Sequence, residues 1–196
     1  GDSTAISTNK NINITNTGTI KAKTGSTGVY GIYAKNDKTN YKTATATVKH
    51  SGVIDLAKNK SSIGIYTENG NLTSSGNISV GENGIAVKLV KSNATLSSGN
   101  INATSGIGIL AENSTVNTNA NMNIKNGLAM SIKNSKITVG NGTYNLTKSI
   151  GFKIGALGAT NYFKGNAGTL NLGENSIAYQ LKNTNLTSNS NFVDNL

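Results

Sequence analysis

Apolar and polar residues alternate along almost the whole chain, in short segments that each begin at a small residue. In one type of segment the small residue is followed by two apolar residues two positions apart, as in Gly52-Val-Ile54-Asp-Leu56. A second type follows each of these, with starts at Gly31, Gly64, Gly84, Gly108, Gly127, Gly151 and Ser176. Both types recur about every 24–25 residues, which indicates an internal repeat. A third, weaker apolar segment precedes each pair.

The alternation has a period of two, which is typical of short β-strands, and no segment shows the apolar stripe of a helix. Three short strands in each repeat predict an all-β chain folded as a parallel β-helix (a β-solenoid). We expect about eight coils of roughly 20–25 residues, stacked at the strand spacing of about 4.8 Å. This patterning argues against disorder, which the low hydrophobic content of 35% would otherwise suggest.

The composition of the 196 residues agrees with such a stack. The chain has no Pro, which cannot donate to a strand ladder, and has 23 Gly, which tolerate the positive φ angles of tight corners. It has no Cys, so disulfides and thiolate metal sites are excluded, and no apolar run long enough for a membrane helix or a signal peptide. We interpret residues 1–196 as a single β-helix segment with insertion loops near 35–47 and 155–164.

If the coils stack with the repeats aligned, side chains at equivalent outward positions form rows along the stack. Counting four residues on from the glycines of the second segment places Lys35, Glu68, Lys88 and Glu112 in one row of alternating charge. A second row places Lys21 above Asp55, and it continues through amides that can hydrogen-bond from coil to coil. Those amides are Asn102, Asn123, Asn145 and Asn171.

Candidate catalytic groups are few. The eight carboxylates are scattered, and the predicted rows bring no two of them together as glycoside hydrolysis requires. His50 is the only histidine and is expected at an exposed corner, where without a second His or a Cys it cannot anchor zinc. We therefore expect no enzyme activity, no metal and no cofactor. A polysaccharide-processing β-helix enzyme is the less favoured alternative.

Two groups of residues are candidates for ligand binding. Tyr33, Tyr66 and Leu110 share an outward position next to the charge row, where they could stack on a sugar or contact a partner strand, or only cover the sheet. The insertion near 35–47 carries the second group, because insertions in solenoids often lie on the binding face. Its candidate residues are Asp37, Lys38, Tyr41 and Lys42. Tyr144 and Tyr179 fall at inward positions and are expected in the core.

The phrases Gly31-Ile-Tyr-Ala-Lys-Asn36, Gly64-Ile-Tyr-Thr-Glu-Asn69 and Gly108-Ile-Leu-Ala-Glu-Asn113 resemble the repeats of large autotransporter adhesins of Gram-negative bacteria, particularly the fusobacterial type. The resemblance implies a passenger domain of type V secretion with a right-handed β-helix. It also implies a location at the cell surface, where a C-terminal barrel that is not in this chain attaches the full-length protein to the outer membrane. The chain would then be a monomeric fragment of a longer passenger.

The leading hypothesis is a non-enzymatic adhesin segment that presents loops to a host-cell or bacterial surface protein or glycan. The runner-up is a purely structural spacer. The net charge of +10 invites a nucleic-acid hypothesis, but all the basic residues are Lys and they are spread along the chain. We expect no dedicated nucleic-acid binding.

Overall fold

The computed structural model describes residues 3–8, 13–36, 45–155, 159–166, 168–182 and 184–190. All regular structure in these residues is β-strand, and every strand pairing is parallel. Successive strands are assigned to three sheets in turn, so that each sheet runs along the stack and each strand pairs with the strand three places later. This is the predicted parallel β-solenoid with three strands per turn. The number of complete turns is slightly below the predicted eight, since one sheet has seven strands.

The three sheets are named A, B and C. Sheet A contains β1 (Ser3–Thr8), β4 (Val29–Lys35), β7 (Ile63–Glu68), β10 (Ile85–Val90), β13 (Ile107–Glu112), β16 (Leu128–Lys133), β19 (Ile150–Ile154) and β22 (Ile177–Leu181). Sheet B contains β2 (Asn13–Asn16), β5 (Ala46–His50), β8 (Gly70–Ser74), β11 (Asn93–Leu96), β14 (Thr115–Thr118), β17 (Lys136–Val139), β20 (Ala159–Gly165) and β23 (Thr184–Ser190). Sheet C contains β3 (Thr19–Lys21), β6 (Val53–Leu56), β9 (Asn77–Val80), β12 (Asn100–Thr104), β15 (Asn121–Lys125), β18 (Thr143–Thr147) and β21 (Thr169–Leu172).

The core is a narrow apolar column, formed by the inward residues of all three sheets. Most rungs contribute Ile, Leu, Val or Ala, but towards the C-terminal end the column becomes aromatic. There the ring centroids of Phe152 and Phe163 lie 4.7 Å apart, and Tyr144 and Tyr179 contact Phe152 at 5.6 and 5.4 Å. Tyr144 is fully buried as predicted, and Tyr179 is partly buried against the core.

The corners between sheets use the left-handed backbone conformation. Among the described residues, six of the ten non-glycine residues with positive φ are Asn, the side chain that tolerates this region best. Buried Ser side chains tie one corner to the next. Ser114 Oγ accepts the Ser92 N–H at 3.1 Å, and Ser135 Oγ accepts the Ser114 N–H at 3.0 Å. The corners therefore repeat in register along the stack.

The strands of sheet A depart from simple alternation, and this changes the predicted rows. In β7, β10, β13 and β16 the second and third residues are both buried, so the outward positions are the first, fourth and sixth. Ile65 pairs with Val87, which makes Ala86 rather than Gly84 the structural equivalent of Gly64. The count of four residues from Gly84, which gave Lys88, is therefore two residues short of the residue that aligns with Glu68, namely Val90.

The second predicted insertion, residues 155–164, is mainly strand. β20 begins at Ala159 and pairs with β17, and residues 156–158 lie outside the described residues. The coil is nevertheless longer here. The Ser135 N–H donates to the Asn161 side-chain oxygen 26 residues further on, whereas the Ser114 N–H donates to the Ser135 hydroxyl 21 residues further on. Of the first predicted insertion, 37–44 lies outside the described residues.

Candidate binding face

The three outer faces of the solenoid differ in chemistry. Amide, hydroxyl and charged side chains dominate the outer faces of sheets B and C, with exposed residues such as Asn71, Thr95 and Asn123. The outer face of sheet A instead carries aromatic and aliphatic side chains on most of its rungs. We call the outward side chains of β4, β7, β10, β13, β16, β19 and β22 the A face.

The central row of the A face contains the three predicted binding residues. Tyr33 pairs with Tyr66, Tyr66 with Lys88, and Lys88 with Leu110, so all four lie in one line along the stack. The shared row of Tyr33, Tyr66 and Leu110 is confirmed. Lys88 was predicted in the neighbouring charge row, which is wrong because of the shift at Ala86.

The neighbouring row starts with the predicted ion pair. Lys35 pairs with Glu68 across the strands, and the Lys35 Nζ to Glu68 Oε2 distance is 3.3 Å. The next rung is Val90, not Lys88, and Glu112 follows with Lys133 beyond it. The predicted alternation of charge therefore holds for the first two rungs and is interrupted at the third.

Three tyrosines form a compact cluster at the N-terminal end of the A face. The rings of Tyr33 and Tyr66 are stacked, with centroids 5.0 Å apart and planes 7° apart. The Tyr30 ring stands at 88° to both, at 5.4 Å from Tyr33 and 6.3 Å from Tyr66. Lys88 Nζ lies 5.6 Å from the Tyr66 ring centroid, within cation–π range. The ring faces that Tyr33 and Tyr66 turn towards each other are therefore not open to a ligand.

A hydrogen bond fixes the Tyr66 side chain. Its hydroxyl donates to Glu68 Oε2 at 2.5 Å, and the same carboxylate oxygen contacts Lys35. Burial raises the pKa of the Tyr66 hydroxyl above its usual range, and the bond to Glu68 and its negative charge add to the effect. Tyr66 therefore remains a neutral donor at physiological pH and has no features of a proton-transfer residue.

A second row of the A face was not predicted from the sequence. Tyr30 pairs with Ile63, and the row continues through Ile85, Ile107, Leu128, Ile150 and Ile177. All but Ile177 are half-buried, because each packs on the rungs above and below. The sequence carries a signal for this row, namely the apolar residue that directly follows the small residue in Gly84-Ile85 and Gly127-Leu128.

The remaining predicted binding residues are Asp37, Lys38, Tyr41 and Lys42, and they lie outside the described residues. Their role stays a prediction.

The outer face of sheet C carries the predicted amide row. Lys21 Nζ lies 3.9 Å from Asp55 Oδ2 at its start. Asn123 Nδ2 then donates to Asn102 Oδ1 at 2.9 Å, and Asn145 Nδ2 donates to Asn123 Oδ1 at 2.8 Å. Asn171 donates in turn to Asn145 at 2.8 Å. The ladder is confirmed, and its amides bond mainly to one another, which suits a structural role better than ligand capture.

His50 differs from its predicted position. It is buried, with 2% of its surface exposed, because its place in β5 is an inward one, aligned with Asn16 and Ser74. Asn16 Nδ2 lies 3.1 Å from His50 Nδ1, and since an amide NH₂ only donates, Nδ1 is the acceptor. Burial lowers the pKa of the imidazole. His50 is thus a neutral core residue rather than an exposed corner residue.

No group of three or more His, Asp or Glu side chains suited to a metal ion occurs in the part of the chain that the structure describes. Within the same residues, no helix could cross a membrane. Two carboxylates near the front of the stack, Asp55 and Glu68, each contact a lysine.

No family model, no curated protein and no solved structure matches this chain. The resemblance to autotransporter adhesins therefore rests on the repeat phrases alone. What the structure defines is the class of fold, a three-sheet parallel β-solenoid with one aromatic and aliphatic outer face.

Proposed function

We propose that this chain is a non-enzymatic segment of a cell-surface adhesin, and that it binds a host-cell or bacterial surface protein or glycan through the A face. The observation that carries the proposal is the contrast between the three outer faces. Two are polar, while the third has rows of Tyr, Ile and Leu on consecutive rungs. Rows of partly exposed apolar and aromatic side chains with a polar surround are typical of interaction surfaces.

The solenoid supports this function mechanically. Parallel pairing continues through every sheet, and the ladders of Asn and Ser side chains add bonds between coils. Such a stack holds binding residues in fixed positions along its length, so the conformational entropy lost on binding is small. The proposal includes display outside a Gram-negative cell, on a longer autotransporter passenger. The resemblance of the repeat phrases to those of autotransporter adhesins supports this part of the proposal.

Cell adherence of the purified chain tests the proposal, with Tyr66→Ser and Tyr162→Ser as a matched pair of variants. Tyr162 is also half-exposed and also has a lysine over its ring, Lys136 at 5.4 Å, but it lies on the outer face of sheet B. We expect Tyr66→Ser to lose most of the adherence and Tyr162→Ser to keep it. Equal effects of the two substitutions would contradict a role of the A face.

Glycan-array and oligosaccharide-turnover measurements on the unchanged chain, together with its cell adherence, separate the alternatives. If the unchanged chain adheres to no cell type and binds no glycan on an array, the structural spacer becomes the better hypothesis. Turnover of an oligosaccharide by the purified chain would instead favour the polysaccharide-processing enzyme.

A further inference from the structure

A straight row of aliphatic side chains runs along the A face beside an open groove. The row from Tyr30 to Ile177 spans six strand spacings, or about 29 Å at roughly 4.8 Å each. The groove follows its middle part, with Ile85, Ile107 and Leu128 along one side.

The opposite side of the groove is polar. It is formed by Asn83, Ser105 and Asn126, three corner residues with φ between 52° and 56°. Glycines lie between the two sides at Gly84, Gly106 and Gly127, so no side chains project there, and the groove has a volume of about 380 Å³. An aliphatic side opposite an amide and hydroxyl side suits an occupant that is itself amphipathic.

The charges beside the groove are mainly positive. In the described part of the chain, Lys88 and Lys125 have no ion-pair partner. Lys88 follows Ile85 in β10 and Lys125 directly precedes Asn126, so the two lie on opposite sides of the groove. The nearby carboxylates of Glu82 and Glu68 are each bound to a lysine, Glu82 to Lys60 at 2.7 Å and Glu68 to Lys35. Of the acidic side chains that the structure describes on the neighbouring strands, Glu112 at the end of β13 has no such partner. An occupant with acidic flanks would complement this arrangement.

The spacing of the row discriminates between ligand classes. An extended peptide along the stack presents same-side residues about 6.7 Å apart, whereas an α-helix repeats its apolar stripe about every 5.4 Å. The helix is closer to the roughly 4.8 Å between rungs. Pyranose rings prefer open aromatic faces. Tyr33 and Tyr66 turn ring faces towards each other, and Lys88 lies over the Tyr66 ring, so these tyrosines suit a sugar less well than a protein partner.

We propose that the A face binds an acidic amphipathic α-helix of a protein partner, with the apolar stripe of the helix along the row from Tyr30 to Ile177 and its carboxylates beside Lys88 and Lys125. This rests on the proposed function, since it names the partner of the same face. It corresponds to the helix-in-groove mode of peptide recognition.

The test uses three synthetic peptides of about 20 residues, the helical length that matches a row of roughly 30 Å. The first has Leu at helical a/d spacing with Glu and Gln elsewhere, the second replaces each Glu by Lys, and the third is the first sequence scrambled. Fluorescence anisotropy measures binding of each labelled peptide to the full chain. We expect the acidic helix to bind at least about tenfold more tightly than the other two.

Variants of the chain locate the site. Ile107→Glu, which places a carboxylate in the row, should weaken binding of the acidic helix at least about tenfold. Thr95→Glu is the matched control on the exposed outer face of sheet B and should leave binding unchanged. The double substitution of Lys88 and Lys125 by Gln removes charge without touching the apolar row, so it remains informative if Ile107→Glu fails to fold by circular dichroism. It should abolish the preference for the acidic peptide.

Equal or tighter binding of the basic or the scrambled peptide would overturn this inference, as would an equal loss with Thr95→Glu. If no peptide binds while cell adherence is lost in Tyr66→Ser, the helix partner is wrong and the adhesin proposal stands. If the acidic helix binds as described but no cell is bound, the docking site stands and the adhesin proposal fails.

Discussion

The amide ladder on sheet C offers a quantitative test of the stacking. Asn123 stands in the middle of the ladder, where it donates to Asn102 at 2.9 Å and accepts from Asn145 at 2.8 Å. Asn123→Ala removes both bonds. Each side-chain hydrogen bond contributes about 0.5–1.5 kcal/mol net, so we expect the free energy of unfolding to fall by about 1–2 kcal/mol. The loss stays at the low end because the exposed partners can bond to water.

Asn117→Ala is the matched control for this prediction. Asn117 is exposed in β14 on sheet B, and its side chain forms no hydrogen bond with any residue that the structure describes. Its replacement should change the free energy of unfolding by less than about 0.5 kcal/mol, as at ordinary surface positions. Urea unfolding followed by far-UV circular dichroism measures both variants. Equal destabilisation by the two substitutions would refute the coil-to-coil bonding.

Three further predictions concern other parts of the stack. A Cβ at Gly64 would lie 2.5 Å from the Ala86 carbonyl oxygen, whereas at Gly18 the nearest atom is 4.0 Å away. Gly64→Ala should therefore lower the free energy of unfolding by about 1–3 kcal/mol and Gly18→Ala by less than about 0.5, as urea midpoints will show. The lowered pKa of His50 means that the unfolded chain binds more protons below its ordinary pKa of 6.5. Stability should therefore be fully present above that pH and fall below it, by at most about 1.4 kcal/mol per pH unit, until the folded imidazole also protonates. Urea midpoints at about pH 7.5 and 5.5 should differ more for the unchanged chain than for His50→Gln, and equal shifts would contradict the burial of a neutral imidazole. Deletion of residues 37–43 should weaken cell adherence if the insertion belongs to the binding surface. Unchanged adherence would exclude the insertion from that surface.

The regular parts of the fold could be predicted from the sequence because they depend on a local pattern. Period-two alternation specifies which side chains point inwards, and the spacing of small residues specifies the repeat. In sheet C, where alternation is simple, the predicted row from Lys21 to Asn171 agrees with the structure residue by residue.

Sheet A shows where the pattern fails. Two adjacent residues both point inwards there, and either Gly or Ala fills the first of them. Gly84 precedes Ile85 just as Gly64 precedes Ile65, so a count from glycines cannot distinguish an outward from an inward isoleucine. For this reason Lys88 was assigned to the wrong row, and the aliphatic row through Ile85 and Ile107 was missed.

His50 illustrates a different limit. Composition suggests that a lone histidine is exposed, but its burial depends on Asn16 in the preceding coil and on the space left by Gly76 in the next. Neither neighbour is close in sequence. The same limit applies to the candidate site. Tyr33 and Tyr66 lie on different coils, so their stacking can be predicted only when the register between the coils is known.

The register at Lys88 is the most direct test of the whole account, because it determines both the stack and the line of side chains on the A face. The chain has no cysteine, so pairs of introduced thiols can be compared without background. One variant carries Tyr66→Cys with Lys88→Cys, and the other carries Glu68→Cys with Lys88→Cys. Treatment with a short bis-maleimide, which forms a thioether with each of the two introduced cysteines, followed by mass spectrometry then measures the rate of cross-linking. The structure predicts faster cross-linking of the first pair, which lies on adjacent rungs of one row. Faster cross-linking of the second pair would contradict the register and the A face built on it.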